Sequence, residues 1–288
     1  MADPAVEVSP ALLRGWPLPS AAGGKYARGQ VLVVGGAANT PGAAQLAGIA
    51  ALRVGAGHLT LAVAEQVAVA LGVSVPECGV VPLPTNRKGS VLGDDVEPIA
   101  DRLGTADAVL VGPGLDDIDQ TVLLLRNLLP LLGPETRLLL DAYALAALPQ
   151  LSEDEVRPLA GRLVLSPNKR EAQTLAGEDE VDDDALVDVA RRYGAVLSCQ
   201  GLVVGSTGDR WHLGVGHEGL ATSGSGDVLA GALAGVVAGG ADLDQAACWA
   251  TYLHSAAGDR LAARVGRLGF LAREILDELP SLLVELGR

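Results

Sequence analysis

Two rhythms of apolar and polar positions alternate along this chain. Short unbroken apolar runs at residues 31–34, 59–63, 108–111, 138–140 and 163–165 have the length and bounded ends of buried strands. Longer stretches with helical spacing separate them. Residues 41–54 predict a helix, with Pro41 near its start and Gly55 and Gly57 closing it. The runs at 108–111, 138–140 and 163–165 each end in a turn, Gly112-Pro113-Gly114, Asp141-Ala142-Tyr143 and Ser166-Pro167-Asn168, and give way to helical sequence. That succession is the pattern of βαβ units, so the fold class read from it is α/β: a mostly parallel central sheet with helices on both faces. In such sheets ligands bind beyond the carboxyl ends of the strands, which places these turns, and the glycines after Val34, along one functional edge.

Beyond residue 180 the rhythm changes. The acidic run 182–184 predicts a solvated helix start, and the apolar pieces 196–197 and 202–204 flank Ser198-Cys199-Gln200-Gly201. Residues 205–209 predict a hairpin turn ahead of 210–213. Helices are expected at 228–237, 242–264 and 270–279, and no linker interrupts this sequence. Residues 1–24, acidic early and carrying four prolines, predict an extended N-terminal arm, and residues 25–288 a single domain.

Composition narrows the partners. A net charge of −14 leaves no clustered cations for a nucleic-acid backbone, although backbone amides of an acidic protein still hold small anions. Aromatics supply only 3% of residues, so the core has to be built from Ala, Val and Leu. No apolar run has the length of a membrane span. Three widely spaced cysteines, an odd number, indicate neither a disulfide framework nor a zinc site and suit a reducing, cytoplasmic setting. No pair of the four histidines has metal-ligand spacing, and no protein-held metal site is predicted.

The chemistry concentrates in Thr222-Ser223-Gly224-Ser225-Gly226-Asp227, immediately before the apolar run 228–237. Glycines at a helix start let several backbone N–H groups converge on one anion, where the helix dipole adds to the attraction. A carboxylate in the first turn is then placed to take a proton from a hydroxyl while those amides steady a phosphoryl group in transfer. An ordinary helix cap is the competing reading of so short a motif.

With the flanking motifs added, the chain resembles the ADP/ATP-dependent NAD(P)H-hydrate dehydratases of the ribokinase-like superfamily, from about Lys25 to the last helix. The resemblance is carried by Arg28-Gly29-Gln30-Val31-Leu32-Val33-Val34-Gly35-Gly36, Pro41-Gly42-Ala43-Ala44, Val111-Gly112-Pro113-Gly114-Leu115, Gly219 through Gly231, and Tyr252-Leu253-His254-Ser255-Ala256-Ala257-Gly258-Asp259. It implies a ribokinase-like fold and a nucleotide-dependent repair reaction. ADP or ATP, with Mg²⁺, phosphorylates the C6 hydroxyl of a hydrated nicotinamide ring, and phosphate then leaves to restore NADH or NADPH. It further implies that Asp227 is the catalytic base, and that Gly224, Ser225 and Gly226 bind nucleotide together with Ser198, Cys199, Gln200, Gly201 and Leu202. Ala43, Gly112, Gly114, Asn168 and Asp227 fall to the hydrate, and the assembly to a homotetramer.

Three departures accompany the resemblance. Tyr143 stands where the family carries a second aspartate, Asn168 where it carries a histidine, and Ser198 where it carries a phosphate-binding lysine. Lys169 or Arg170 offers a replacement cation from a neighbouring turn. Two other readings stay open on the sequence: a kinase of a small alcohol that stops at the phosphoester, and a non-catalytic adenine-nucleotide-binding module.

Overall fold

The computed structural model describes residues 5–20 and 24–288. Strand β1 (Val6–Val8) and helix α1 (Pro10–Gly15) come first. β2 (Gln30–Val34) leads into α2 (Pro41–Arg53), and β3 (His58–Ala64) into α3 (Glu65–Ser74). β4 (Cys78–Leu83) reaches α4 (Ala100–Thr105) through a long loop. β5 (Ala108–Val111) is followed by α5 (Ile118–Leu128), and β6 (Arg137–Leu140) by α6 (Tyr143–Ala147) and α7 (Glu153–Val156). After β7 (Leu163–Leu165) come α8 (Lys169–Ala176) and α9 (Asp183–Tyr193), then β8 (Ala195–Cys199), β9 (Leu202–Val204) and β10 (Arg210–Leu213). Helices α10 (Ser225–Ala238), α11 (Leu243–Arg264) and α12 (Ala272–Glu285) close the chain.

The strands form one sheet in the order β1-β10-β9-β8-β7-β6-β5-β2-β3-β4. From β8 to β4 every neighbouring pair is parallel, while β9 runs antiparallel to both β8 and β10. The chain enters at β2, lays β3 and β4 on one side, then crosses to β5 and continues the other way. The order therefore reverses between β2 and β5, and a crevice opens beyond the carboxyl ends of strands where it does so. Here the two turns are bonded directly: Gly36 N–H donates to Pro113 O at 2.8 Å and Ala37 N–H to Gly114 O at 2.8 Å.

Alternate residues of each strand feed two cores. Val31 and Val33 face α2, α10, α11 and α12, whereas Leu32 and Val34 face α5, α6, α8 and α9. On the first side α10 lies almost in contact with α2. A Cβ on Gly231 would stand 2.0 Å from Ala47 O, and one on Gly235 would stand 2.5 Å from Ala51 O, so hydrogen alone fits at both positions.

The segment expected to be an extended arm is structured where it is described; residues 1–4 and 21–23 of that expectation lie outside the described residues. β1 extends the sheet alongside β10, and α1 buries Leu13 against it. Trp16 O then accepts hydrogen bonds from the Gln245 side chain and the Trp249 indole. The prolines misled the reading. Pro10 sits in the first helical turn, where its missing N–H costs nothing, and Ser9 caps that turn by accepting from Leu12 N–H.

Candidate active site

The first turn of α10 is fixed from two sides. Gly224 caps it with φ +89°, a left-handed conformation that favours glycine, and a Cβ there would push against Leu46 Cδ1 at 2.6 Å. Ser225 is buried, its hydroxyl 2.9 Å and its carbonyl oxygen 3.0 Å from His254 Nε2 on α11. Burial pushes the His254 imidazole down to about 4, so it is neutral at physiological pH.

The anion hole differs in one member from the expected set. Ser225 N–H already donates to Thr222 O at 3.2 Å, and Val228 N–H to Gly224 O at 3.1 Å. Among the described residues the amides of Gly224, Gly226 and Asp227 have no acceptor, so Gly224 and Gly226 of the expected set, with Asp227 in place of Ser225, remain as donors at the dipole's positive end. Gly226 is exposed, and a Cβ added there meets nothing within 4 Å. An anion can therefore approach that amide without obstruction.

Asp227 projects from the same turn. Burial first, and then the Glu171 carboxylate, push its carboxyl up to about 6. Asp141, at the tip of β6, is pushed further, to about 8, by burial and then by Glu171 and Asp227. Glu171, on the first turn of α8, is itself raised by burial. The turns after the neighbouring strands β6 and β7 and the first turn of α10 thus bring together three carboxyls that are far apart in sequence. A base poised near neutrality and a neighbouring carboxyl held protonated are the pattern of paired acid and base groups.

The expected hydrate-side residues meet at the crevice. A Cβ on Gly114 would lie 3.1 Å from Ala43 Cβ and 2.4 Å from Thr40 O, and one on Gly112 1.8 Å from Asp141 O. Gly112, Gly114 and Ala43 therefore share one turn cluster with Asp141, in which the glycines are obligatory for packing. Asn168 is committed elsewhere. Its side chain accepts from Glu171 N–H at 3.0 Å while Glu171 Oε2 accepts from Asn168 N–H at 2.9 Å, a reciprocal cap on α8. The histidine's place is occupied by a residue that positions Glu171.

The expected nucleotide segment divides. Gln200, φ 47°, and Gly201, φ 83°, form the two-residue turn of the β8–β9 hairpin. Cys199, Gln200 and Leu202 line a cavity of about 180 Å³ together with Lys169. Ser198 is not part of it: successive strand residues point to opposite faces, and its buried hydroxyl lies 2.8 Å from Thr251 Oγ1 on α11. The cation in this cavity is Lys169, from the neighbouring turn. Burial and then Glu171 push the Cys199 thiol up to about 11, which keeps it protonated and unreactive.

From the sequence His254 is expected to be a satisfied structural histidine, and Ser225 is the partner that satisfies it. The available signal was an ionisable residue among Ala250, Leu253 and Ala257, all buried on one helix face.

This arrangement, a sheet reversing at a glycine crevice with a helix N-terminus and a carboxylate beside it, defines the ribokinase-like class. Within that class the chain belongs to the NAD(P)H-hydrate dehydratase family, whose model matches residues 31–281. It is 39% identical to the ADP-dependent (S)-NAD(P)H-hydrate dehydratase of Xanthomonas campestris, over 98% of this chain and 97% of that protein. It is 36% identical to the bifunctional NAD(P)H-hydrate repair enzyme Nnr of Moorella thermoacetica, over 93% of this chain and 51% of that protein, so it spans about half of the bifunctional relative. Among solved structures, the Bacillus subtilis ADP/ATP-dependent NAD(P)H-hydrate dehydratase co-crystallised with ATP/Mg²⁺ aligns with TM-score 0.79 at 23% identity, covering 99% of this chain and all of that one.

Proposed function

We propose that this chain restores NADH and NADPH from their hydrates by nucleotide-dependent dehydration, with the C6 hydroxyl phosphorylated first and phosphate eliminated second. The observation that carries this reading is the pairing, in one helical turn, of the unpartnered Gly226 and Asp227 amides with the Asp227 carboxyl poised at about 6. Hydroxide is a poor leaving group and phosphate a good one. Phosphorylation therefore makes the elimination feasible, and a site for it needs a base at the hydroxyl and donors at the phosphoryl group. Asp227 takes the hydroxyl proton, Gly226 and Asp227 N–H hold the transferring phosphoryl, and Gly112, Gly114 and Ala43 shape the crevice for the ring.

The nucleotide lies along the β8–β9 hairpin with Lys169 reaching its phosphates, and ADP is the donor by likeness to the Xanthomonas relative. Among the described residues no three His, Cys, Asp or Glu side chains are arranged to hold a metal. Mg²⁺ would keep most of its waters and bind through the substrate phosphates, with Glu171 as the carboxylate that would meet its water shell. When bound, the ion neutralises charge on the phosphates. Cytoplasmic residence is supported by three free cysteines. No helix among the described residues is long and apolar enough to cross a membrane. The homo-oligomer is tested by light scattering.

The decisive experiment mixes the chain with hydrated NADH or NADPH, Mg²⁺ and either nucleotide, and follows the return of reduced-nicotinamide absorbance. Recovery dependent on nucleotide supports the dehydratase. A stable phosphoester without recovery would establish the kinase, and binding without nucleotide cleavage the non-catalytic module.

A further inference from the structure

Resting on that reading, we propose that Asp141 is the catalytic proton carrier of the elimination half-reaction, giving a proton to the departing phosphate and taking one from C5 of the ring. The elimination needs an acceptor for the C5 proton, and Asp227, left protonated by the C6 hydroxyl in the first half, is not free to accept it. In the first half Asp227 receives the proton of the C6 hydroxyl as that oxygen bonds to phosphorus. In the second half the C6–O bond breaks and its electron pair leaves with the phosphate, while the lone pair of ring N1 forms a C6=N1 bond. Loss of a proton from C5 then supplies the pair for C5=C6 and returns the N1 pair. Two proton transfers belong to this half: one to the phosphate, which leaves poorly as a trianion, and one from C5.

Asp141 is placed for both. It directly follows β6 beside Gly112, whereas Glu171, whose charge acts on Asp141, Asp227 and Cys199 alike, is occupied in accepting the Asn168 N–H. It is 6% exposed, so water does not compete for its proton. Ser166 Oγ donates to Asp141 Oδ1 at 3.1 Å, and Ala142, held at φ 49°, fixes the backbone immediately after it. A non-glycine residue at that angle is strained, and such strain persists where the surroundings over-determine a position. The carboxyl, raised to about 8, rests protonated. It becomes a carboxylate on donating to phosphate and is restored by the C5 proton, so the cycle leaves Asp141 unchanged.

The test compares wild type with Asp141→Asn in the full chain, measuring phosphorylated hydrate after acid quench beside the return of reduced nicotinamide. Phosphorylation should persist, while recovery falls by roughly 10²- to 10⁴-fold, the worth of a positioned acid–base group. Equal loss of both steps, or retention of both, overturns the assignment. Absence of both in wild type removes the underlying reading instead, and the proposal with it. Should Asp141→Asn fail to fold, Asp141→Glu with hydrate deuterated at C5 decides. A primary isotope effect on recovery and none on phosphorylation is expected, and an effect of unity refutes the role.

Discussion

The two faces of the sheet are packed on different principles. The face under α5, α6, α8 and α9 is filled by long aliphatic side chains, with Val122, Leu124, Leu125 and Leu128 buried on α5 alone. The face under α2, α10 and α11 also buries large side chains, but there two helices meet backbone to backbone. α2 buries Ala44, Ala47, Gly48, Ala50 and Ala51, and α10 lies against it through Gly231 and Gly235. Side chains that interdigitate tolerate small shifts through rotamer changes; helices in backbone contact have no such freedom. The stiff face carries the helix whose first turn holds Asp227. The lesson is that small residues here set the position of the turn proposed to be catalytic, while the leucines opposite supply bulk stability.

The largest effect expected is at the site itself. Asp227→Asn keeps shape and removes the proton acceptor, so turnover falls by roughly 10²- to 10⁴-fold while nucleotide affinity, read by calorimetry, changes little. Unaltered turnover would mean that some other group is the base. The comparison of faces is broken most directly by pairing Gly231→Val with Leu124→Ala. The leucine truncation should cost about 2–5 kcal/mol in urea unfolding and leave kcat of the folded fraction intact. Gly231→Val drives a side chain into Ala47 and should cost about 3 kcal/mol or more while also lowering kcat, because α10 must move. Equal kcat losses in the two variants would remove the distinction drawn between the faces.

Protons offer a gentler probe. Asp141 and Asp227 have folded pKa values, about 8 and about 6, above the ordinary carboxylate value of about 4. Between about pH 4 and pH 8 the folded chain therefore binds more protons than the unfolded one, and stability falls as pH rises through that window. Asp141→Asn should raise Tm relative to wild type at pH 8 and leave it nearly unchanged at pH 4. A difference independent of pH would contradict the burial of an ionisable carboxyl there. The smallest effect is expected at Asn168, where Asn168→Ala removes a cap worth about 0.5–2 kcal/mol. Since Asn168 also positions Glu171, a modest rise in KM for nucleotide should accompany that loss, and Asn168→Asp should restore the stability.

Much of the layout was legible along the chain because it is local. The strands at 108–111, 163–165, 202–204 and 210–213 are observed within the limits their apolar runs suggest, as is α2 to within a residue. Each is bounded by a turn whose chemistry is written in adjacent residues. α3 and β4 were not legible: on α3 Ala68 and Leu71 are buried but Val69 and Val73 are exposed, so apolar residues on both faces leave no contrast to read. The glycine–aspartate turn was legible for the same local reason, and the α/β class followed from the succession of runs and turns.

Relations across the sheet were decided only by folding. Adjacent residues Ser198 and Cys199 went to opposite faces because a strand alternates. Asn168 became a cap because Glu171 lies three residues on, at the start of a helix. His254 met Ser225 across 29 residues, and Asp141, Glu171 and Asp227 met from three separate elements. The sequence by itself determined which pieces form and which turn can hold an anion, since those depend on neighbours in the chain. The tertiary structure alone decided which carboxyl is raised to near neutrality and which is raised beyond it, since burial and repulsion between charges depend on distance in space.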